Sequence, residues 1–249
     1  MTGGYDPAYF APLVAVEDRH FWFRARNRII SRLAARLAEG FDPGYGVLEV
    51  GCGDGNVLRF LERACAGGAV VGMDYYAAGL QYARRRCGCA LVQGDLARPP
   101  FAKAFHLIGM FDVLEHMPDD LGVLRDLRRM LDPCGKLLLT VPAKRSLWSA
   151  FDEESGHCRR YETGELRDKL KACGYRVEYL SVYMAATYPL LWLSRRLSRG
   201  KQGAVGRELR VVPVLNELLA LALGPEAWWI GRGGRLPLGT SLLAVAARD

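Results

Sequence analysis

Four histidines are all the sequence holds, and it contains no C-x-x-C pair, no internal repeat and no long apolar run. A membrane-crossing helix needs about 20 predominantly apolar residues in a row, so none is expected. The absence of a repeat period excludes a solenoid or propeller. Seven cysteines is an odd number, and they are scattered. Cys87-Gly88-Cys89 is C-x-C with no second pair nearby, so neither a disulfide framework nor a zinc site is indicated. Free, buried thiols in a reducing compartment are the expectation. The N-terminus is neither basic nor followed by an apolar core, so no signal peptide and a cytoplasmic location are expected.

What is present is globular in composition: 50% of the 249 residues are hydrophobic and 24% charged, enough for one large domain with a buried core. The net charge of +7 permits an anionic partner, although a modest basic excess is more often only a solvated surface, and nucleic acid is not expected. The chain is organised around Val47-Leu48-Glu49-Val50-Gly51-Cys52-Gly53-Asp54-Gly55-Asn56. Its first half reads as a buried strand. The three alternate glycines then turn the backbone sharply and let a ligand press against the main chain. The spacing is G-x-G-x-G; a dinucleotide fingerprint would need glycine where Asn56 stands. Glu49, just inside the turn, would repel a pyrophosphate and suits a cationic ligand.

Further strands follow at regular intervals. Ala69–Tyr75 ends in Asp74, Ala90–Asp95 ends in a second acid, and Phe105–Val113 leads into Phe111-Asp112-Val113-Leu114-Glu115-His116. Lys136–Pro142 and Tyr175–Tyr183 follow, and a last strand waits until Thr240–Ala246. Helices are expected between them, one capped by Asp119 or Asp120 and another by Thr163. Buried strands alternating with helices predict an α/β fold with a doubly wound, mostly parallel sheet, its ligand crevice beyond the strands' carboxyl ends.

Three stretches, VLEVGCGDGN, FDVLEH followed by PDD, and the GHCRRY of residues 156–161, resemble motifs of the class I S-adenosylmethionine-dependent methyltransferases. The resemblance covers about residues 20–183. It implies a Rossmann-like, seven-stranded sheet with a helical insertion before the last strand, and S-adenosylmethionine as cofactor with S-adenosylhomocysteine as product. It also implies a cofactor site around Glu49, Gly51, Gly53, Asp74, Tyr75, Asp95, Leu96 and Phe111. Asp74 would take both ribose hydroxyls, Tyr75 the adenine face, and Asp95 and the Leu96 backbone the adenine edge.

Residues 1–12 read as a polar lead. A helix is expected from Glu17 to about Glu39. Its Phe21-Trp22-Phe23 trio beside arginines suits packing or nucleic-acid stacking. The resemblance adds a third reading, a lid over residues 1–40 with Trp22 and Arg26 touching cofactor. Residues 147–161 form a long loop expected to face the acceptor.

His116 and His157 are the candidate general bases, since an imidazole titrates near neutral pH. Asp112, Glu115 and His116 also resemble the D/E-x-x-E-H metal site of ubiquinone-pathway O-methyltransferases and small-RNA 2′-O-methyltransferases. Mg²⁺ there is the less favoured option, and no metal site is assigned.

Residues 184–238 hold apolar and tryptophan-rich runs around a basic cluster of Arg195, Arg196, Arg199, Lys201, Arg207 and Arg210. A cap over the acceptor, a homodimer surface and a peripheral membrane element compete. The cap is favoured, with Leu190, Leu191, Trp192, Leu193, Trp228 and Trp229 covering a small, partly apolar acceptor. Two other functions stay open: a non-catalytic cofactor-binding scaffold and an NAD-dependent oxidoreductase on a similar fold.

Overall fold

A computed structural model describes residues 6–102, 104–197, 206 and 208–249. Seven strands form one sheet: β1 Gly46–Val50, β2 Ala69–Asp74, β3 Ala90–Gln93, β4 Phe105–Phe111, β5 Leu131–Pro142, β6 Tyr175–Tyr183 and β7 Ser241–Arg248. Their order is β3-β2-β1-β4-β5-β7-β6. All neighbours run parallel except β7, which is antiparallel to β5 and β6. Val47 of β1 lies between Val70 and Leu107, so the chain winds one way through β2 and β3 and the other way through β4. A crevice opens at such a reversal, at the strands' carboxyl ends.

Among the described residues the α-helices are α1 Phe10–Val16, α2 Phe21–Ala38, α3 Leu58–Ala64, α4 Ala77–Ala83, α5 Asp120–Met130, α6 Ala150–Glu154, α7 Thr163–Ala172, α8 Tyr188–Leu197, α9 Pro213–Ala222 and α10 Gly224–Gly231. Two apolar layers sandwich the sheet. On one face Val123, Leu124 and Leu127 of α5 and Leu166 and Leu170 of α7 meet Leu48, Ile108 and Leu139. On the other, Ile29, Ile30 and Leu33 of α2 and Leu58 and Leu61 of α3 meet Val47, Leu107 and Leu138. These positions recur at helical spacing on the helices and alternate along the strands, which fixes the register of each layer.

Several local expectations are corrected. The lead holds a helix, α1, because Pro12 falls in its first turn, where a missing N–H is tolerated. The next helix starts at Phe21, capped by the His20 ring, which accepts from the Trp22 N–H. Glu162, not Thr163, caps α7 in a capping box with Glu165. Asp119 caps α5 by accepting from the Gly122 N–H at 2.8 Å. The strand read from Lys136 starts at Leu131.

Candidate active site

Gly51, Gly53 and Gly55 all take positive φ, of 71°, 52° and 80°. At Gly51 a Cβ would stand 2.6 Å from a Val113 methyl, so the loop's tight approach to the chain after β4 requires glycine. Asp74, at the end of β2, holds the loop: its carboxylate accepts from the Gly53 N–H at 2.7 Å and the Tyr76 N–H at 2.8 Å. Burial pushes its pKa up against those two bonds.

Around this loop lies a first cavity, bounded also by Tyr75, Asp95, Leu96 and Phe111. Glu49 forms part of its wall and is 2% exposed. Burial raises the Glu49 carboxyl well above the usual carboxylate range, against the nearby Arg26. Among the described residues nothing hydrogen-bonds its Oε2. A buried acceptor without a partner is costly, and a cationic ligand beside it would favour the charged carboxylate. The Asp95 carboxyl is held below its ordinary value chiefly by the Ala97 N–H, which donates to it at 2.9 Å.

The N-terminal helices contribute to the wall of this cavity. Phe10, Leu13 and Glu17 of the α1 segment line it together with Phe23 and Arg26 of α2. Glu17 and Asp54 both meet Arg86, which ties the α1 segment to the glycine loop. Burial and the neighbouring Asp54 push the Glu17 carboxyl up to about 8. The sequence offers one signal for these α1 residues, the i and i+3 spacing of Phe10 and Leu13.

Arg26 is the junction. It donates to Asp112 Oδ2 at 2.9 Å and to Asn56 Oδ1 at 3.2 Å. Asp112 sits at φ 55°, a left-handed conformation that aspartate tolerates. Beyond Arg26 a second cavity opens, lined by Phe21, Trp22, Phe151, His157, Leu191 and Leu209 among others. Leu13, Phe23, Arg26, Asp112 and His116 line both cavities.

The structure therefore brings Arg26, Glu49, Gly51, Gly53, Asp74, Tyr75, Asp95, Leu96 and Phe111 to one cavity. Trp22 is not among them. One residue along a helix turns the side chain by about 100°, and Trp22 faces the second cavity with Arg26 4.8 Å over its ring.

His157 and His116 stand edge to face, ring centroids 4.7 Å apart. His157 Nδ1 is 2.9 Å from Asp152 Oδ1. Asp152 is fully buried and also receives Arg160 Nε at 2.8 Å. Burial opposes ionisation of Asp152, yet His157 and Arg160 together hold its pKa below the ordinary value. An ionised Asp152 only accepts, so a His157 proton sits on Nδ1, and in the neutral ring the lone pair is on Nε2. Burial, then the neighbouring His157, lowers His116 to about 4, so it is neutral at pH 7.

Glu115, His116 and His157 each offer a ligand atom, all within 4.8 Å of one another. Glu115 Oε2 is buried and has no hydrogen-bond partner among the described residues. Burial and then Asp112 raise its carboxyl well above the usual range. One carboxylate and two imidazoles can hold a metal, and the nitrogen-rich set suits a transition ion better than Mg²⁺. Asp112, paired with Arg26, is not in that cluster.

The insertion supplies Thr187, Leu191, Arg195, Glu208 and Leu209 to the second cavity. Of the apolar residues expected to cover an acceptor, only Leu191 lines the second cavity. Leu190, Trp192, Leu193, Trp228 and Trp229 face outward. Arg195 turns inward beside Glu208, and burial lowers its pKa. Arg210 is exposed, while Arg199, Lys201 and Arg207 and the side chain of Arg196 lie outside the described residues.

The methyltransferase-domain family model matches residues 21–180. A "Probable S-adenosylmethionine-dependent methyltransferase" of Mycolicibacterium smegmatis is 30% identical over 165 residues, 65% of this chain and 62% of that protein. A demethylmenaquinone methyltransferase of Tropheryma whipplei is 34% identical over 130 residues, 50% of this chain and 48% of that protein. The matches thus span about three fifths of the first relative and half of the second. A chain in the complex of the Haloferax volcanii Trm112 methyltransferase activator with a methyltransferase superposes with a TM-score of 0.64 at 17% identity. That alignment covers 100% of this chain and 98% of the other. The chain belongs to the methyltransferase-domain family, within the class I S-adenosylmethionine-dependent methyltransferases.

Proposed function

We propose that this chain transfers a methyl group from S-adenosylmethionine to a small, partly apolar acceptor by in-line displacement. The observation that carries this reading is the pair of cavities with a shared wall of Leu13, Phe23, Arg26, Asp112 and His116. The first, around the glycine loop, suits the cofactor. Its features are the acid at the end of β2, an exposed Tyr75 face and the orphaned Glu49 oxygen toward a cationic group. When bound, the cofactor supplies a methyl group already activated by its sulfonium, leaving S-adenosylhomocysteine.

The chain's own residues then have three tasks. Phe21, Trp22, Leu191 and Leu209 take the acceptor's apolar body and exclude water. Arg26 and Asp112 fix the wall between the two ligands. His157 takes the acceptor's proton at Nε2 while Asp152 holds Nδ1–H, so the ring enters the reaction in one tautomer. Neutral His116 beside it lets the pair hold one added proton. A relative named for demethylmenaquinone supports an acceptor with an apolar body. A second reading rests on the Glu115, His116 and His157 cluster, which would hold a transition ion to bind and polarise the acceptor oxygen.

The experiment is transfer of labelled methyl from S-adenosylmethionine to a demethylmenaquinone, a long-chain fatty acid and duplex DNA, with and without excess chelator. Label is expected in an organic-soluble product, undiminished by chelator. Loss on chelation selects the metal reading. Label only in DNA, or in no acceptor while cofactor binds, overturns the proposal in favour of a nucleic-acid enzyme or a scaffold.

A further inference from the structure

Helix α9 is built inside out. Its inner face rests on α2 and carries a polar anchor. The Asn216 side chain accepts from the Phe21 N–H at 2.8 Å and donates to the Arg19 carbonyl at 2.9 Å. Its outer face carries Val214, Leu215, Leu218 and Leu221, exposed by 75%, 48%, 59% and 72%. At 3.6 residues per turn these four lie on one side of the helix, opposite Asn216, Ala220 and Leu223. A surface helix ordinarily turns its polar side to water, and an apolar patch of this kind marks an interaction site. The next helix, α10, adds Trp228 and Trp229, each about half exposed.

The surroundings state which partner fits. Arg232 lies 4.0 Å over the Trp228 ring. Arg36 reaches the Gly231 carbonyl, Arg32 packs against Gly231, and Arg24 pairs with Glu217 at 2.6 Å. Glu217 is the one exposed acid of α9 and α10, because Glu226 is buried and accepts from the Met184 and Ala185 N–H groups. By sequence, residues 184–238 hold eight Lys and Arg against three Glu.

We propose that the outer face of α9 and α10 docks on an anionic lipid bilayer. The leucines and valine enter the boundary between headgroups and acyl chains. The tryptophans sit at headgroup depth, and the arginines meet lipid phosphates. A second copy of the chain fits less well. A two-fold dimer would set this patch against itself, arginine rim facing arginine rim with a single carboxylate on each side. Among the described residues no helix is long and apolar enough to cross a membrane, so the contact is peripheral. The inner side of the same insertion lines the second cavity through Leu191 and Leu209, so docking would bring that cavity near the bilayer surface.

The test is co-sedimentation of the full chain with phosphatidylcholine vesicles and with vesicles that also contain phosphatidylglycerol, alongside sedimentation velocity without lipid. Partition onto the phosphatidylglycerol vesicles should be at least about tenfold the stronger and should weaken in high salt. Leu218→Asp with Leu221→Asp should lower it by at least about tenfold. Leu218→Ser with Leu221→Ser gives a milder version if the charged pair disturbs folding, and unchanged cofactor affinity checks the fold of both. Equal partition onto the two vesicle types, or none, overturns the proposal. So does a dimer in the lipid-free chain that either variant dissociates, which would assign the face to a second copy.

Discussion

Truncating His157 to alanine is expected to lower turnover by about 10²–10⁴-fold, the usual contribution of a positioned base, while S-adenosylmethionine affinity stays within about twofold. The separation follows from geometry: His157 lines the second cavity and not the first. Its ring is fixed by Asp152 at 2.9 Å, and Asp152 by Arg160 at 2.8 Å. Asp152→Asn should therefore lower kcat by releasing the tautomer, with KM for the acceptor little changed. The comparison that checks this is steady-state kinetics of both variants beside cofactor titrations. Normal turnover in His157→Ala would leave positioning and desolvation to carry the reaction alone.

The second large effect is at the cofactor. Asp74→Ala should weaken S-adenosylmethionine binding at least tenfold, which is about 1.4 kcal/mol. Two losses add. The acid proposed for the ribose hydroxyls disappears, and the Gly53 and Tyr76 N–H groups lose the carboxylate that accepts from them. Each charge-assisted hydrogen bond is worth about 1.5–3 kcal/mol, so tenfold is a lower bound. Asp74→Asn retains one acceptor oxygen and should fall between. Calorimetry on the three proteins measures it, and an unchanged affinity in Asp74→Ala would remove Asp74 from the site.

The parts of this molecule that the sequence disclosed are those where local pattern and tertiary role agree. Val47, Leu48 and Val50 are apolar because the strand is buried, and Gly51 is glycine because Val113 leaves no room for a Cβ. Tyr175–Tyr183 is a strand in both readings for the same reason. The site was less legible wherever contact depends on elements distant in sequence. Asp152 and His157 are five apart across a turn closed by Gly156 at φ 73°, and nothing in the spacing says that they meet. The one available hint was Ser149 with Asp152, the signature of a capping box. Glu208 reaches the second cavity from a segment with no motif at all.

The direction of the insertion's apolar faces was not legible, for a physical reason. Apolar periodicity reports that a helix has an apolar face, not which way that face points. On α9 the inward side is set by Asn216, a polar residue, so the leucines that would ordinarily be core are turned outward. At Trp22 the same limit applies. Its place on a helix is legible, but one residue of helical rotation sets it on the second cavity and not the first.

The glycine-loop cavity is built for a cationic sulfonium cofactor rather than a pyrophosphate-bearing one. Isothermal titration of the wild-type chain with S-adenosylmethionine, S-adenosylhomocysteine and NAD distinguishes the two. Saturable one-to-one binding of the first two, with NAD at least about tenfold weaker, is the predicted result, since Glu49 stands where a pyrophosphate would be repelled and Asn56 where its third glycine is needed. NAD binding more tightly than S-adenosylmethionine, or no binding of S-adenosylmethionine at all, would contradict it.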